Sequence, residues 1–311
     1  MACYSPTTIW SKKKGASIGV PCGKCVDCLK KRRSEWTFRL KEELNNSIGA
    51  HFITLTYNET HLPFTIGDGK IFRVADIFNQ PQQEIWRPLK ETLYPADVTL
   101  FLKRLRSNLR VEVSKDNQTL LKRKIALLEP PKLKYYYIGE YGPNTDRPHY
   151  HMILFNLPNE YRHLIVNSWD KFGFVHIGQA EGASIAYTAS YLINGIDNDY
   201  TDIHKPFSRM SKNIGISYLG RAEKWHIENK FRYVIDEGKK IPMPRYYKKL
   251  IFTNSHANDL YAKEAIKKAD KLHAERHDKF RKNGEDPFEV DNLRREGNRE
   301  IITRKIKQRK L

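Results

Sequence analysis

Two periodicities of apolar side chains alternate along this chain, one of about 3.6 residues and one of two, and the order in which they change predicts its elements. After a stretch over 1–22 that reads as irregular, Leu29, Arg33, Trp36, Leu40 and Leu44 recur at helical spacing against an opposite side of Lys, Arg and Glu, which predicts a helix over about 24–44. HFITLTY (His51 to Tyr57) alternates and is rich in β-formers, so it reads as a strand. The stretch from Asn58 to Tyr94, with scattered Pro and Gly, reads as a loop-rich insertion rather than core. Asp97 is expected to cap a helix running to about Leu109, with Phe101, Leu102, Leu105 and Leu109 inward and Lys103, Arg104, Arg106 and Arg110 outward. KYYYIGEYG (Lys134 to Gly142) and HYHMILF (His149 to Phe155) are two strands around the turn PNTDRP, which predicts a β-hairpin. A helix over about 160–169, a strand FVHIG (Phe174 to Gly178) and a helix from Ala183 to Asn194, ended by Gly195, follow. PFSRMSKNIGISYLG has loop character, and the last fifty residues, dense in charges of both signs, read as a helical and mostly exposed basic tail. The expected organisation is an α+β chain with a Cys-containing segment and basic helix over 1–50, a core over 51–220 carrying an insertion at about 58–95, and a partly helical region over 221–311.

The charge balance narrows the class of partner. Fifty-five Lys and Arg stand against 36 Asp and Glu, a formal +19 on 311 residues. Such a surplus steers a protein to polyanions, and nucleic acid is the commonest of these because Lys and Arg release counterions from phosphates. The interleaved Tyr, Phe and Trp can stack on unpaired bases. With 40% hydrophobic residues the chain can build a core, so wholesale disorder is excluded. No apolar run approaches the ~20 residues that span a bilayer, and MACYSPTTIWSKKKG lacks a signal-peptide core, so no membrane partner and a cytoplasmic location are expected.

Chemistry concentrates at His149-Tyr150-His151. Alternate residues of a strand face one side, so the two imidazoles point together as a metal requires. Glu140, at the end of the preceding strand, can complete a His, His, carboxylate set, and mixed N and O ligands with open positions suit Mg²⁺ or Mn²⁺ acting on a phosphate. Tyr187 and Tyr191 lie one turn apart on one helix face, a spacing that serves one site or simply packs. All four cysteines fall within the first 28 residues. Cys22, Cys25 and Cys28 form C-x-x-C-x-x-C and Cys3 supplies a fourth thiolate, which suits structural Zn²⁺; an Fe–S cluster, or plain thiols on the first turns of a helix, are the alternatives. The adjoining Lys30, Lys31, Arg32 and Arg33, with Lys103, Arg104 and Arg106, are the expected contacts to a DNA backbone.

Three elements in order, ITLTY (Ile53 to Tyr57), RPHYHMILF (Arg147 to Phe155) and AYTASYLI (Ala186 to Ile193), resemble the HUH endonucleases, the rolling-circle replication initiators. PCGKCVDCLKKRR (Pro21 to Arg33), DVTLFLKRLR (Asp97 to Arg106) and PFSRMSKNIGI (Pro206 to Ile216) extend the likeness to the initiators of gokushovirus-type microviruses, over about Cys3 to Leu219. The resemblance implies a five-stranded antiparallel sheet flanked by helices with the HYH strand central, His149, His151 and Glu140 as ligands of Mg²⁺ or Mn²⁺, and Tyr187 and Tyr191 as nucleophiles. It implies nicking of single-stranded or origin DNA through a 5′-phosphotyrosine, a 3′-hydroxyl extended by a host polymerase with a helicase as further partner, and residence in the cytoplasm of a bacterial host. The family's Lys three residues after the second Tyr is Asn194 here, and position 190, often basic, is Ser190. The other readings are a non-enzymatic DNA-binding protein, or a plasmid initiator, relaxase or transposase of the same chemistry. Oligomeric state is not legible.

Overall fold

The computed structural model describes residues 3, 6–12, 15–67, 69–74, 89–122, 128–142, 145–191, 200–252, 267, 271–272 and 274–308. These divide into two compact units, one of 1–38 with 217–311 and one of 39–216. Among the described residues no helix is long and apolar enough to cross a membrane.

The second unit is built on a sheet of five antiparallel strands in the order β8-β3-β7-β6-β9, where β3 is Ala50–Tyr57, β6 Lys134–Tyr141, β7 Pro148–Phe155, β8 Gly173–Gln179 and β9 Phe207–Met210. The expected five-stranded antiparallel sheet with a central HYH strand is therefore what forms. Period-two alternation decides which side is core. Ile53, Leu55, Tyr57, Tyr150, Met152, Leu154 and Tyr137 share one face and are buried with two helices laid over it, α2 (Pro95–Lys122) and α3 (His163–Trp169). Trp169, fully buried, donates its indole N–H to the Thr56 carbonyl at 3.0 Å and so ties α3 to the sheet. On the same face Tyr57 donates to the Asp97 carboxylate at 2.8 Å and meets the Tyr150 hydroxyl at 3.1 Å, while Arg73 closes on Asp97 at 2.6 Å. A buried carboxylate needs such partners to offset its desolvation.

Several expectations are corrected here. Asp97 does not cap its helix: it lies within the first turn, buried by the Tyr57 and Arg73 contacts, and Pro95 opens the helix. That helix also continues to Lys122, well past Leu109, because Val113 remains buried and an exposed Glu112–Lys115 pair at 2.8 Å supports the polar second half. The 58–94 stretch is not outside the core. Leu62 and Leu93 are fully buried in it, and the short strands β4 (Phe64–Thr65) and β5 (Lys90–Glu91) pair; the middle of the stretch, 75–88, lies outside the described residues. The 206–216 segment, read as loop, supplies the edge strand β9, whose Ser and Arg hide a four-residue pairing with β6.

In the first unit, residues expected to be irregular form a hairpin of β1 (Thr7–Ser11) and β2 (Ala16–Val20). Its strands carry no apolar-polar alternation because both faces are largely exposed. The helix α1 is Val26–Asn45, its last residues from Arg39 belonging to the second unit. Phe38 packs in a small core with Tyr218 of α5 (Ser217–Asn229), Val234 of β10 (Tyr233–Asp236), Met243 after β11 (Lys239–Pro242), and Tyr247, Ile251 and Phe252 of α6 (Arg245–Phe252). The basic tail is helical over α7 (Pro287–Gln308), as expected, and a buried His277 contacts Asp291 at 3.1 Å.

Candidate functional site

The sheet face opposite α2 and α3 carries the polar residues. In register, His149 of β7 lies between Thr56 of β3 and Glu140 of β6, and His151 between Thr54 and Ile138. Glu140 Oε1 stands 3.0 Å from His149 Nε2 and 3.0 Å from His151 Nε2, with the three side chains only 10–16% exposed. The residue before Glu140 must be glycine, because a Cβ at Gly139 would lie 2.8 Å from the Phe207 ring.

The other nitrogen of each imidazole is held differently. His149 Nδ1 lies 3.1 Å from the Arg147 carbonyl, and His151 Nδ1 lies 3.0 Å from the Thr54 hydroxyl. A carbonyl can only accept, so His149 carries a proton on Nδ1, and with Glu140 accepting at Nε2 it carries a second. Burial opposes that charge, but the Glu140 hydrogen bond and negative charge outweigh it and hold the His149 pKa above its ordinary value. Burial likewise pushes Glu140 up, and the hydrogen bonds from His149 and His151 more than reverse this, leaving its pKa below the usual carboxylate range. His149 and Glu140 thus form an ion pair, and the hydroxyl of Thr54, which can donate or accept, suits either tautomer of His151.

The tyrosines arrive on α4 (Gly182–Ser190), which packs on β7 with Ile185 and Ala189 buried. The N–H of Glu181 donates to Ser184 Oγ at 2.8 Å at its start, and Tyr191 is its C-cap. The helix is shorter than the expected 183–194; Asn194 lies outside the described residues. Tyr187 and Tyr191 sit with ring centroids 4.9 Å apart, and the Tyr191 hydroxyl donates to that of Tyr187. The His151 ring is stacked between Phe52, at 5.6 Å and 12°, and Tyr191, at 5.6 Å and 22°, with Tyr187 edge-on at 5.5 Å. Burial, then the charge of Glu140 and the bond to Tyr187, push the Tyr191 phenol well above its ordinary value. Glu140, His149, His151, Tyr187 and Tyr191 are therefore one cluster. Tyr57 and Tyr150, by contrast, have their hydroxyls buried on the far face, and burial raises both phenols.

Not every expected residue converges. Lys103, Arg104 and Arg106 belong to α2, on the opposite side of the sheet. Lys103 is exposed there, while Arg104 lies over the Phe172 ring at 5.0 Å and Arg106 over Tyr135 at 5.8 Å. Lys30, Lys31, Arg32 and Arg33 lie on α1 in the first unit, with Lys31 and Arg32 exposed. Cys3, Cys22, Cys25 and Cys28 come together in that same unit. Sequence reasoning missed Phe52 and Thr54, although the alternation of HFITLTY already placed both on the side facing away from Ile53 and Leu55.

The donor set fits a divalent cation. One atom from each of Glu140, His149 and His151 lies within 4.8 Å of the others, two are imidazole nitrogens and one a carboxylate oxygen. In the absence of a cation the protons on the imidazoles occupy the positions of its bonds.

Comparison with known proteins supplies independent findings. The profile of a family of phage proteins, described as Replication-associated protein ORF2, matches residues 50–196. The chain is 27% identical over 293 residues to the Replication-associated protein ORF2 of Spiroplasma virus 4, spanning 79% of each chain. It is 27% identical over 257 residues to the Replication-associated protein VP4 of Bdellovibrio phage phiMH2K, spanning 76% of this chain and 68% of that one. To the Replication-associated protein ORF4 of Chlamydia phage 1 it is 24% identical over 263 residues, spanning 76% of this chain and 55% of the relative. No solved structure matches it. The profile covers β3 through α4, the elements that carry all five clustered residues.

Proposed function

We propose that this chain, which belongs with the replication-associated proteins of gokushovirus-type microviruses, starts replication by cutting one DNA strand with Tyr187 or Tyr191 as the nucleophile. The observation that carries this reading is the meeting of two phenols with a His, His, carboxylate set on one exposed sheet face.

His149, His151 and Glu140 would hold Mg²⁺ or Mn²⁺, whose charge at a nonbridging oxygen makes phosphorus more electrophilic. The chain's own residues do the rest. A tyrosine oxygen attacks phosphorus in line. The P–O bond to the phenol forms, the P–O3′ bond breaks, and the leaving 3′-oxygen ends as a hydroxyl. An ordinary Tyr, with pKa near ~10, is mostly neutral at pH 7, so the phenolic proton must be removed as attack proceeds. Glu140 bonds the Tyr191 hydroxyl and is the base within reach. Stacking of His151 between Phe52 and Tyr191 fixes the nucleophile over the ligand set and limits rotation, which supports attack from one direction. The covalent phosphotyrosine conserves the phosphodiester energy, so a second tyrosine can later transfer the strand and close a circle. The free 3′ end suits extension by a host polymerase in the bacterial cytoplasm.

The test uses the full chain and a single-stranded oligonucleotide carrying the origin. With Mn²⁺ or Mg²⁺ the reading expects a covalent adduct mapped to Tyr187 or Tyr191. Tyr187→Phe and Tyr191→Phe should each keep some single cleavage and lose strand transfer. The double variant should bind DNA and form no adduct. DNA binding by the native chain with no adduct at any metal concentration would instead identify a non-enzymatic DNA-binding protein, and an active double variant would remove both tyrosines from the mechanism.

A further inference from the structure

We propose that Cys3, Cys22, Cys25 and Cys28 bind a single Zn²⁺ as four thiolates, and that this ion holds the N-terminal hairpin in place. The site is independent of the ligand set on the sheet.

The sulfur geometry selects one ion over a cluster. All four Sγ atoms lie within 4.8 Å of one another, and Cys25 Sγ is 3.8 Å from Cys3 Sγ. A tetrahedron with zinc–sulfur arms of ~2.3 Å has edges of about 3.8 Å. An iron–sulfur cluster separates its ligand sulfurs by its own width and needs a wider cage. A disulfide needs about 2.05 Å between sulfurs, far closer than the approach seen here. Hard cations such as Mg²⁺ and Ca²⁺ take oxygen ligands, which this group lacks.

The backbone is shaped for thiolates. Gly23, at φ +75, turns the chain between Cys22 and Cys25, a conformation glycine adopts without cost. That turn aims the N–H groups of Lys24, at 3.4 Å, and Cys25, at 3.3 Å, onto Cys22 Sγ, while the N–H of Cys22 reaches Cys3 Sγ at 3.2 Å. Donors directed at sulfur stabilise its anion and orient it as a ligand. Cys28 follows Cys25 by three residues in the first turn of α1, so both sulfurs lie on one side of the helix start, where the helix dipole favours negative charge.

The hairpin supplies the need. A two-stranded ribbon is marginal by itself, and β1 and β2 have little apolar burial: Ile9 is 46% exposed and Trp10 64%. Cys3 precedes β1 and Cys22 follows β2, so an ion bridging them closes both ends of the hairpin at one point and joins them to α1 through Cys25 and Cys28.

The full chain, purified without chelator, should carry about one zinc per chain and no labile sulfide. The His149→Ala, His151→Ala double variant should retain that zinc, which separates this site from the sheet. Cobalt exchanged into the native chain should show sulfur-to-cobalt charge-transfer bands and the strong d–d absorption of a tetrahedral thiolate site, a readout that needs no variant to fold. Cys22→Ser and Cys25→Ser should lose the zinc. Chelation should accelerate chymotryptic cleavage after Trp10, and added zinc should reverse it. Iron with labile sulfide, absence of any metal, a zinc that leaves with the histidines, or a cobalt spectrum without sulfur bands would each overturn the site. Bound zinc with unchanged cleavage at Trp10 would overturn its role in holding the hairpin.

Discussion

The hydroxyl of Thr54 gives the most selective test of the ligand set, because it touches one histidine through the nitrogen that faces away from Glu140. In the cation-free chain His151 Nε2 faces Glu140 Oε1, and Nδ1 faces Thr54 Oγ1 at 3.0 Å. When Nε2 gives its lone pair to a cation, Nδ1 must carry the proton and Thr54 must accept it. A valine at that position has nearly the same shape and a strand-forming β-branch, so Thr54→Val removes the acceptor and leaves the strand intact. Phe52 and Tyr191 cover both faces of the imidazole, so the ring has little room to seek another partner. His149 rests on the Arg147 carbonyl and is unaffected, so only one outer partner is lost. Such losses typically weaken metal affinity by ~10–100-fold, or about 1.4–2.8 kcal/mol. Calorimetric titration of Mn²⁺ into the full chain, with adduct formation followed against Mn²⁺ concentration, measures it. Half-saturation should move up by that factor for Thr54→Val and stay near native for Thr54→Ser, with the rate at saturating Mn²⁺ largely retained. Native metal dependence in Thr54→Val, or Thr54→Ser as weak as Thr54→Val, would refute the argument.

Three further outcomes are expected. The raised pKa of His149 means that its pairing with Glu140 stabilises the cation-free fold fully below the ordinary His value of about 6.5 and is lost as pH rises through the folded value. A cation must displace that proton, so Mn²⁺ affinity should climb between about pH 6 and 8; an affinity flat across that range argues against His149 as a ligand. Burial lowers the pKa of His226, which meets the Tyr218 hydroxyl at 2.7 Å in the first unit. Its contribution is present above about pH 6.5 and is lost as pH falls through that value towards the folded pKa, so thermal stability should decline there and His226→Gln should blunt the decline. Affinity for single-stranded DNA should fall steeply with salt, by a log–log slope of about −0.7 for each phosphate contact, given the net charge of +19; a slope near zero rules out a phosphate-dominated interface.

The ligand set was legible because its geometry is local. Alternation puts His149 and His151 on one side, and a short turn between two strands returns Glu140 opposite His149, so no distant contact has to be known. The tyrosine pair was legible as one helix face, but its approach to His151 depends on how α4 crosses β7, which spacing alone does not encode. The misreadings share a cause, in that their stabilising partners are remote in sequence. Asp97 looks like a cap until Tyr57 and Arg73 surround it. Phe207 to Met210 looks like loop until the neighbouring edge of β6 supplies hydrogen bonds. Of the basic residues picked out on α2, two rest their guanidinium groups on Phe172 and Tyr135, and this face is fixed by the apolar stripe of α2 rather than by its charges.

Because β7 is bonded on both flanks, to β3 and to β6, its amides cannot meet solvent unless two ladders open together. Hydrogen exchange at His149, Tyr150 and His151 should therefore require near-global unfolding of the second unit, whereas the last turn of α4, ending at Tyr191, can fray by itself. The two halves of the cluster thus sit at opposite ends of the stability scale. The ligands keep their spacing through local breathing, and the tyrosines can swing away from them and return without any cost to the sheet.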